Sequence, residues 1–302
     1  MKSPAQAMVL AAFAADSLAL GVHWIYDTEQ IDRQVGRIAD LLPPAEGSYH
    51  PQKKRGEFTH YGDQSLHLLH HLVKNHGQFS LPEYARDWQS FMSQYSGYLD
   101  RASRATLQNL EGGAAPDTCG SPSTDLGGAA RIAPLIYCYR EDLEGLLVAV
   151  RAQTALTHSG PGSVDGAVFL ARSCFAILHG ATPRAAFIEA LAGGIDDIDL
   201  DLRLRRCLDL PDGSIRQAVK EFGQMCSITA ALPGAMYTVL QRENSIEEAL
   251  IETAMAGGDS AARGMVVGMI LGAGPGMAKI PVRWLDNLVR YQEIKAALEK
   301  LP

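Results

Sequence analysis

Four junctions between loops and helices hold the residues whose types and spacing could do chemistry. In Ala15-Asp16-Ser17-Leu18-Ala19-Leu20-Gly21-Val22-His23-Trp24 a polar Asp interrupts an apolar helix ahead of a turn carrying His and Trp. In Gly56-Glu57-Phe58-Thr59-His60-Tyr61-Gly62-Asp63-Gln64-Ser65-Leu66, Asp63 and Ser65 are expected at a helix start. Gly127-Gly128-Ala129-Ala130-Arg131-Ile132-Ala133-Pro134-Leu135 pairs two glycines with an Arg. Gly257-Gly258-Asp259-Ser260-Ala261-Ala262-Arg263-Gly264 again sets Asp and a hydroxyl at a helix start. An Asp at such a position is commonly a cap worth about 1 kcal/mol, the plainer reading of Asp63 or Asp259 alone. Two Asp-hydroxyl junctions beside glycines point further. Hard cations take carboxylate and hydroxyl oxygens, and glycine lets backbone approach a phosphate closely.

The elements that must position these residues read as helices. Ser3-Pro4 reads as an N-cap with proline in the first turn, opening a helix over 4–20. Leu66, Leu69, Leu72 and Val73 recur at helical spacing. Ser80-Leu81-Pro82-Glu83 and Ser245-Ile246-Glu247-Glu248 are capping boxes by sequence, opening helices to about Tyr95 and Met255. Further helices are expected over 127–139, 141–156, 164–179, 183–193, 214–225, 228–241, 260–273 and 283–299. No alternating run rich in Val, Ile and aromatics and no Asn-Gly hairpin occurs. The expectation is all-α: one compact multi-helix domain over 1–302.

Composition bounds the function. The 302 residues are 47% hydrophobic and 20% charged, with a net charge of −7, which excludes a disordered chain and argues against a general nucleic-acid binder. A local pocket can still take a small anion. No uncharged apolar run approaches the roughly 20 residues of a membrane span, so no membrane partner is expected. The apolar run from Ala7 to Ala15 after Lys2 resembles a signal peptide, but Asp16 interrupts it. Five scattered cysteines without a CxxC pair fit reduced thiols and a cytoplasmic protein.

Three other signals fail. His67 and His71 have metal-site spacing, but Leu68 stands where a metalloprotease has Glu and no third ligand is in view. Asp197-Ile198-Asp199-Leu200-Asp201 lacks the Gly and Glu of a calcium loop and reads as a charged helix-capping loop. Gly272-Ala273-Gly274-Pro275-Gly276 follows a helix rather than a strand, so it is no phosphate loop.

Taken in order, the motifs resemble the ADP-ribosylglycohydrolases. The family's Gly-Asp-Ala-Leu-Gly opening is similar to Ala15–Trp24. Its Thr-Asp-Asp-Thr resembles Gly62-Asp63-Gln64-Ser65, and its Asn-Gly-x-x-Met-Arg-x-x-Pro-Leu resembles Leu126–Leu135. Thr157-His158 with Gly166-Ala167 follows, and Gly257–Ala262 is similar to the family's Gly-Gly-Asp-Thr-Asp-Thr. The resemblance implies an all-α fold, an ADP-ribose cleft and a two-magnesium centre that supports hydrolysis of an ADP-ribosyl bond. It implies an ADP-ribose-like molecule or an ADP-ribosylated substrate as partner. It places Gly127, Gly128, His158 and Ser159 beside the nucleotide.

The departures fall on the metal side. Gln64 and Ala261 replace aspartates, Gly62 and Ala262 replace threonines, and His23 replaces the acidic residue of the opening. Asp63, Asp259 and Ser260 remain as candidate metal ligands. With so few anions to offset two adjacent divalent charges, at most one weakly held magnesium is expected, or none. The pattern resembles the branch containing jellyfish J crystallins. Two expectations follow: a hydrolase with an eroded metal centre, using Asp63, Asp259 and His23 catalytically, or a binding or structural protein that kept the fold. His23 titrates near neutral pH and could serve as a base or as a pocket wall beside Trp24.

Overall fold

The computed structural model describes residues 3–274 and 279–302. In chain order the helices are α1 (Pro4–Ala19), α2 (Thr28–Val35), α3 (His60–Lys74), α4 (Leu81–Ser93), α5 (Arg101–Glu111), α6 (Gly127–Ala130), α7 (Ala133–Cys138) and α8 (Leu143–Ala155). They continue as α9 (Pro161–Leu178), α10 (Pro183–Ala192), α11 (Ile198–Asp209), α12 (Ile215–Phe222), α13 (Ile228–Gln241), α14 (Ile246–Met255), α15 (Ser260–Ala273), α16 (Val282–Asn287) and α17 (Tyr291–Glu299). Among the described residues there is no strand, only isolated bridges joining Ser121 to His158 and Asp125 to Ser227. The all-α expectation holds.

The central pair is α1 against α15. α1 begins with a complete capping box: the Gln6 amide donates to Ser3 Oγ, and the Ser3 amide to Gln6 Oε1. Its alanines are buried along the whole helix, as are Gly264, Gly268 and Gly272 of α15. A Cβ on Gly268 would lie 2.6 Å from the Ala11 carbonyl, and one on Gly272 2.8 Å from Met8 Cα. Small residues at i, i+4 and i+8 thus let two backbones pack closely. Because Gly264 faces Ala15 while Gly272 faces Met8, the helices run antiparallel. The end of α1 therefore lies beside the start of α15, and that junction carries the site.

Several expected boundaries shift. Neither Ser80 nor Ser245 makes a side-chain cap bond, so the two capping boxes do not form. Glu248 instead takes the Arg37 guanidinium, 2.5 Å away. The helix expected over 127–139 is broken at Arg131 and Ile132, where the Arg131 side chain turns inward and bonds Gln64 and Thr157. The helix expected over 283–299 is α16 and α17, separated where the Val289 amide donates to the Gly56 carbonyl at 2.9 Å. Three helices had no sequence signal. Of these, α2 and α5 bury few apolar residues, and α11 hides Leu200, Leu204 and Cys207 within alternating charges. Asp197 caps α11 by accepting from the Leu200 amide, as the capping-loop reading expected. Lys2 and the Pro275-Gly276 pair lie outside the described residues. α9 has the length and mean hydropathy of a membrane span, yet it carries Asp165 and Arg172 and is 67% buried in the protein, the mark of a core helix.

Candidate functional site

The site is assembled from the N-terminus of α3 inward. Asp16, on the last turn of α1, is fully buried. It accepts from the Thr59 amide at 2.7 Å and from the Thr59 hydroxyl at 2.5 Å. Burial pushes its carboxyl up to about 7, and the bonds from Thr59 pull the other way. Thr59 is the N-cap of α3 and accepts from the Tyr61 amide. The polar residue that interrupts α1 is thus the anchor that fixes where α3 begins.

That anchor presents His60 and Tyr61 to the start of α15. The Tyr61 hydroxyl donates to Asp259 Oδ2 at 3.0 Å. His23 Nδ1 stands 3.7 Å from Asp259 Oδ1 and 3.4 Å from the Ala261 amide. Asp259 caps α15 by accepting from the Ala262 amide. The turn before it is locked: the Trp24 amide donates to the Gly258 carbonyl and the Gly258 amide to the Ile25 carbonyl. Gly258 has φ +65, and a Cβ there would lie 2.1 Å from the Gln224 carbonyl, so only glycine fits.

The imidazoles around this carboxylate are neutral. His50 Nε2 faces His60 Nδ1 at 3.3 Å. Burial lowers His60 to about 4 and His50 to about 3, and holds His23 well below its ordinary value. Burial raises Asp259 to about 6, against the nearby Arg263 guanidinium and the Tyr61 hydrogen bond. At neutral pH the Asp259 carboxylate sits among uncharged imidazoles and a phenol, with the buried Arg263 guanidinium opposing its charge and the Asp100 carboxylate on the far side of His60.

The opposite wall is the Gly127-Gly128 turn. A Cβ on Gly127 would lie 2.6 Å from the Tyr61 ring, and one on Gly128 3.0 Å from the His158 ring. The two glycines make room for these rings, which is their visible structural reason. His158 Nδ1 faces Thr157 Oγ1 at 2.8 Å, and burial lowers the imidazole to about 4.

The structure therefore brings Asp259, His23, Gly127, Gly128 and His158 together around Tyr61. Ser260 sits beside Asp259, fully buried, its hydroxyl without a partner. Asp63 does not join them. Asp63 is in the first turn of α3, as expected, but Thr59 rather than Asp63 is the N-cap, and Asp63 lies about 200° around the helix from Tyr61. Its carboxylate accepts from Lys53 Nζ and from the Tyr95 hydroxyl, each at 2.5 Å. It lines a separate cavity of about 310 Å³ with Phe58, Leu66, His67 and Phe91. Ser65 points to the Arg131 carbonyl. The Ser159 hydroxyl is spent on the Ser121 carbonyl at 2.9 Å, holding the loop. The expected pairing of Asp63 with Asp259 is corrected accordingly.

These donors do not fit a paired-magnesium centre. Asp259 faces a phenol and an imidazole rather than a second carboxylate, and Asp63 is already paired with an ammonium group. Among the described residues, no group of three or more His, Cys, Asp or Glu side chains is arranged to hold a metal ion. Sequence reasoning flagged Asp16 as an interruption of α1 without giving it a role, and assigned none to Thr59, His60, Tyr61 or His50. Thr59 was within reach, since a Thr two residues before a Tyr and ahead of the Leu periodicity is itself an N-cap signal.

A family model described as ADP-ribosylglycohydrolase matches residues 2–302. The chain is 26% identical over 318 residues to crystallin J1A of Tripedalia cystophora, covering 99% of this chain and 96% of that protein. It is 26% identical over 213 residues to ADP-ribosylhydrolase ARH3 of Gallus gallus, covering 60% of this chain and 58% of that protein. A solved structure titled ADP-ribosylglycohydrolase-related protein complex superimposes with a TM-score of 0.80 at 22% identity, covering 99% and 96% of the two chains.

Proposed function

The chain belongs to the ADP-ribosylglycohydrolase family, and from that membership we propose that it hydrolyses an ADP-ribosyl or related N- or O-glycosidic bond in the Asp259 cleft, without a paired magnesium centre. The observation that carries the reading is the setting of Asp259. It is a buried carboxylate held by the Tyr61 hydroxyl at 3.0 Å, with a neutral imidazole 3.7 Å away.

Cleaving a ribosyl bond builds positive charge on the sugar ring as the leaving group departs. A carboxylate fixed in a water-poor site stabilises such charge far better than one in bulk water. Asp259, raised to about 6, is ionised above that pH. His23 is neutral at pH 7, and its Nε2 is buried without a partner. Because His23 Nδ1 accepts from the Ala261 amide, its proton lies on Nε2. In this proposal Nε2–H donates to the attacking water and orients it, and the Asp259 carboxylate takes the water's proton while the water oxygen bonds the anomeric carbon. The departing nitrogen or oxygen leaves with the glycosidic electron pair and is protonated in turn. His158 and the Gly127-Gly128 turn would hold the nucleotide, together with the backbone of the loop that Ser159 pins.

Turnover of ADP-ribosylated arginine and serine peptides, with chelator and with magnesium, tests the reading. Equal turnover in both buffers, lost in Asp259→Asn with an unchanged circular dichroism spectrum, is expected. Turnover only with magnesium refutes it. A second reading, binding or structure without turnover, is favoured by two observations: Asp259, Ser260 and His23 are all buried, and the likeness to a crystallin spans nearly both chains. No turnover at high protein concentration in either buffer would select it.

A further inference from the structure

Three aromatic rings from separate segments meet over this floor. Trp24 comes from the turn after α1, Tyr49 from the loop after α2, and Tyr98 from the connection between α4 and α5. Ring centroids lie 5.0 Å apart for Trp24–Tyr49, 5.0 Å for Trp24–Tyr98 and 5.4 Å for Tyr49–Tyr98, each pair edge-on. The Trp24 ring also stacks on His23 at 4.2 Å. Trp24 has φ 65, a left-handed conformation that a bulky side chain seldom holds outside a functional place. Beneath the rings His23 Nε2 is buried without a partner, as is Ser260 Oγ next to Asp259, while His60 Nε2 faces the Asp100 carboxylate at 3.7 Å. Buried polar atoms are nearly always satisfied, so these two orphans on either side of Asp259 mark where a ligand's polar groups would go.

Tyr49 is the least held of the three. It is 58% exposed, its ring contacts are Trp24 and Tyr98, and its hydroxyl has no hydrogen bond among the described residues. Gly47, two residues earlier, has φ +74 and open space around it. We infer that Trp24, Tyr49 and Tyr98 form a movable cover over the Asp259 floor, that Tyr49 is the member that swings out, and that a planar group of the ligand takes its place against Trp24. This rests on the reading of the floor as a ligand site.

The test has one arm without ligand and one with it. Carbethoxylation by diethyl pyrocarbonate is followed residue by residue at His23, His50 and His60 in the wild type and in Tyr49→Ala, with exposed His76 as internal reference. Rates at the three covered histidines rise at least tenfold in the variant while His76 is unchanged; equal rates overturn the cover. In the second arm, association of ADP-ribose is followed by stopped-flow tryptophan fluorescence, where Trp24 reports because Trp88 and Trp284 are fully buried. Removing two edge-on ring contacts speeds association about tenfold in Tyr49→Ala, and ribose 5-phosphate, which has no planar group, leaves the Trp24 emission unchanged. Unchanged ADP-ribose association in the variant, or an equal emission change with ribose 5-phosphate, overturns the exchange of Tyr49 for a planar group. Absence of ADP-ribose binding in both proteins overturns that exchange and the ligand reading together, and the carbethoxylation rates then decide the cover alone.

Discussion

Replacing Asp16 by Asn should change how stability depends on pH, by an amount the structure sets. The folded carboxyl sits at about 7 because burial disfavours its charge; an unfolded Asp titrates near 3.9. Between those values the folded state holds a proton that the unfolded state has released. The group's contribution is therefore full below about 3.9 and falls by about 1.4 kcal/mol per pH unit until about pH 7. Asn copies the protonated acid: its carbonyl accepts from the Thr59 amide and its NH2 faces the Thr59 hydroxyl, but it does not titrate. From pH 5.5 to pH 8.5, Asp16→Asn should gain about 2 kcal/mol on the wild type. The assay is urea unfolding of both proteins at the two pH values, with m held common. A difference between the proteins that does not move with pH would refute the buried, proton-holding anchor. Asp16→Ala should behave otherwise at every pH, because it leaves two buried Thr59 donors without an acceptor at about 1–3 kcal/mol each.

Three further predictions follow from the same geometry. Gly127→Ala drives a Cβ into the Tyr61 ring, which cannot retreat because the His60 ring lies 3.9 Å away; urea unfolding should show a loss of about 1–3 kcal/mol, and a change under 0.5 kcal/mol contradicts the contact. Acid should destabilise the fold: His50, His60, His67 and His158 are lowered to about 3 or 4 and His23 well below its ordinary value. Their contribution is whole above about 6.5 and drains away as pH falls toward 4. Asp16, Asp259 and Asp63, all raised by burial, oppose this but are outnumbered, so the melting temperature should drop from pH 6.5 to 4.5 with net proton uptake on unfolding; a rise refutes the neutral histidine cluster. Asp63→Asn should leave ADP-ribose affinity within twofold of wild type, measured calorimetrically, because Asp63 faces a different cavity; a loss of tenfold or more would return it to the cleft.

Helical periodicity was enough to read the fold, because α1, α8, α9, α13 and α15 are apolar enough for the pattern to stand out. It failed for α11, where Ile198 and Leu202 are exposed and the buried Leu200 and Leu204 alternate with charges. The site was half legible. Asp259, His23, His158 and the Gly127-Gly128 pair lie on short turns whose neighbours in sequence are neighbours in space. Asp63 misled because its role depends on where α3 begins, and that is decided by a contact between Thr59 and Asp16, 43 residues apart. His50 and Tyr61 matter only through long-range partners, and no local pattern marks them.

The central claim is a cleft that works without paired magnesium. Its most direct test is calorimetric titration of ADP-ribose into the wild-type protein, first with magnesium and then with a chelator, alongside Asp259→Asn. The account predicts the same affinity in both buffers and a loss of at least tenfold in Asp259→Asn. Binding that appears only with magnesium would contradict it.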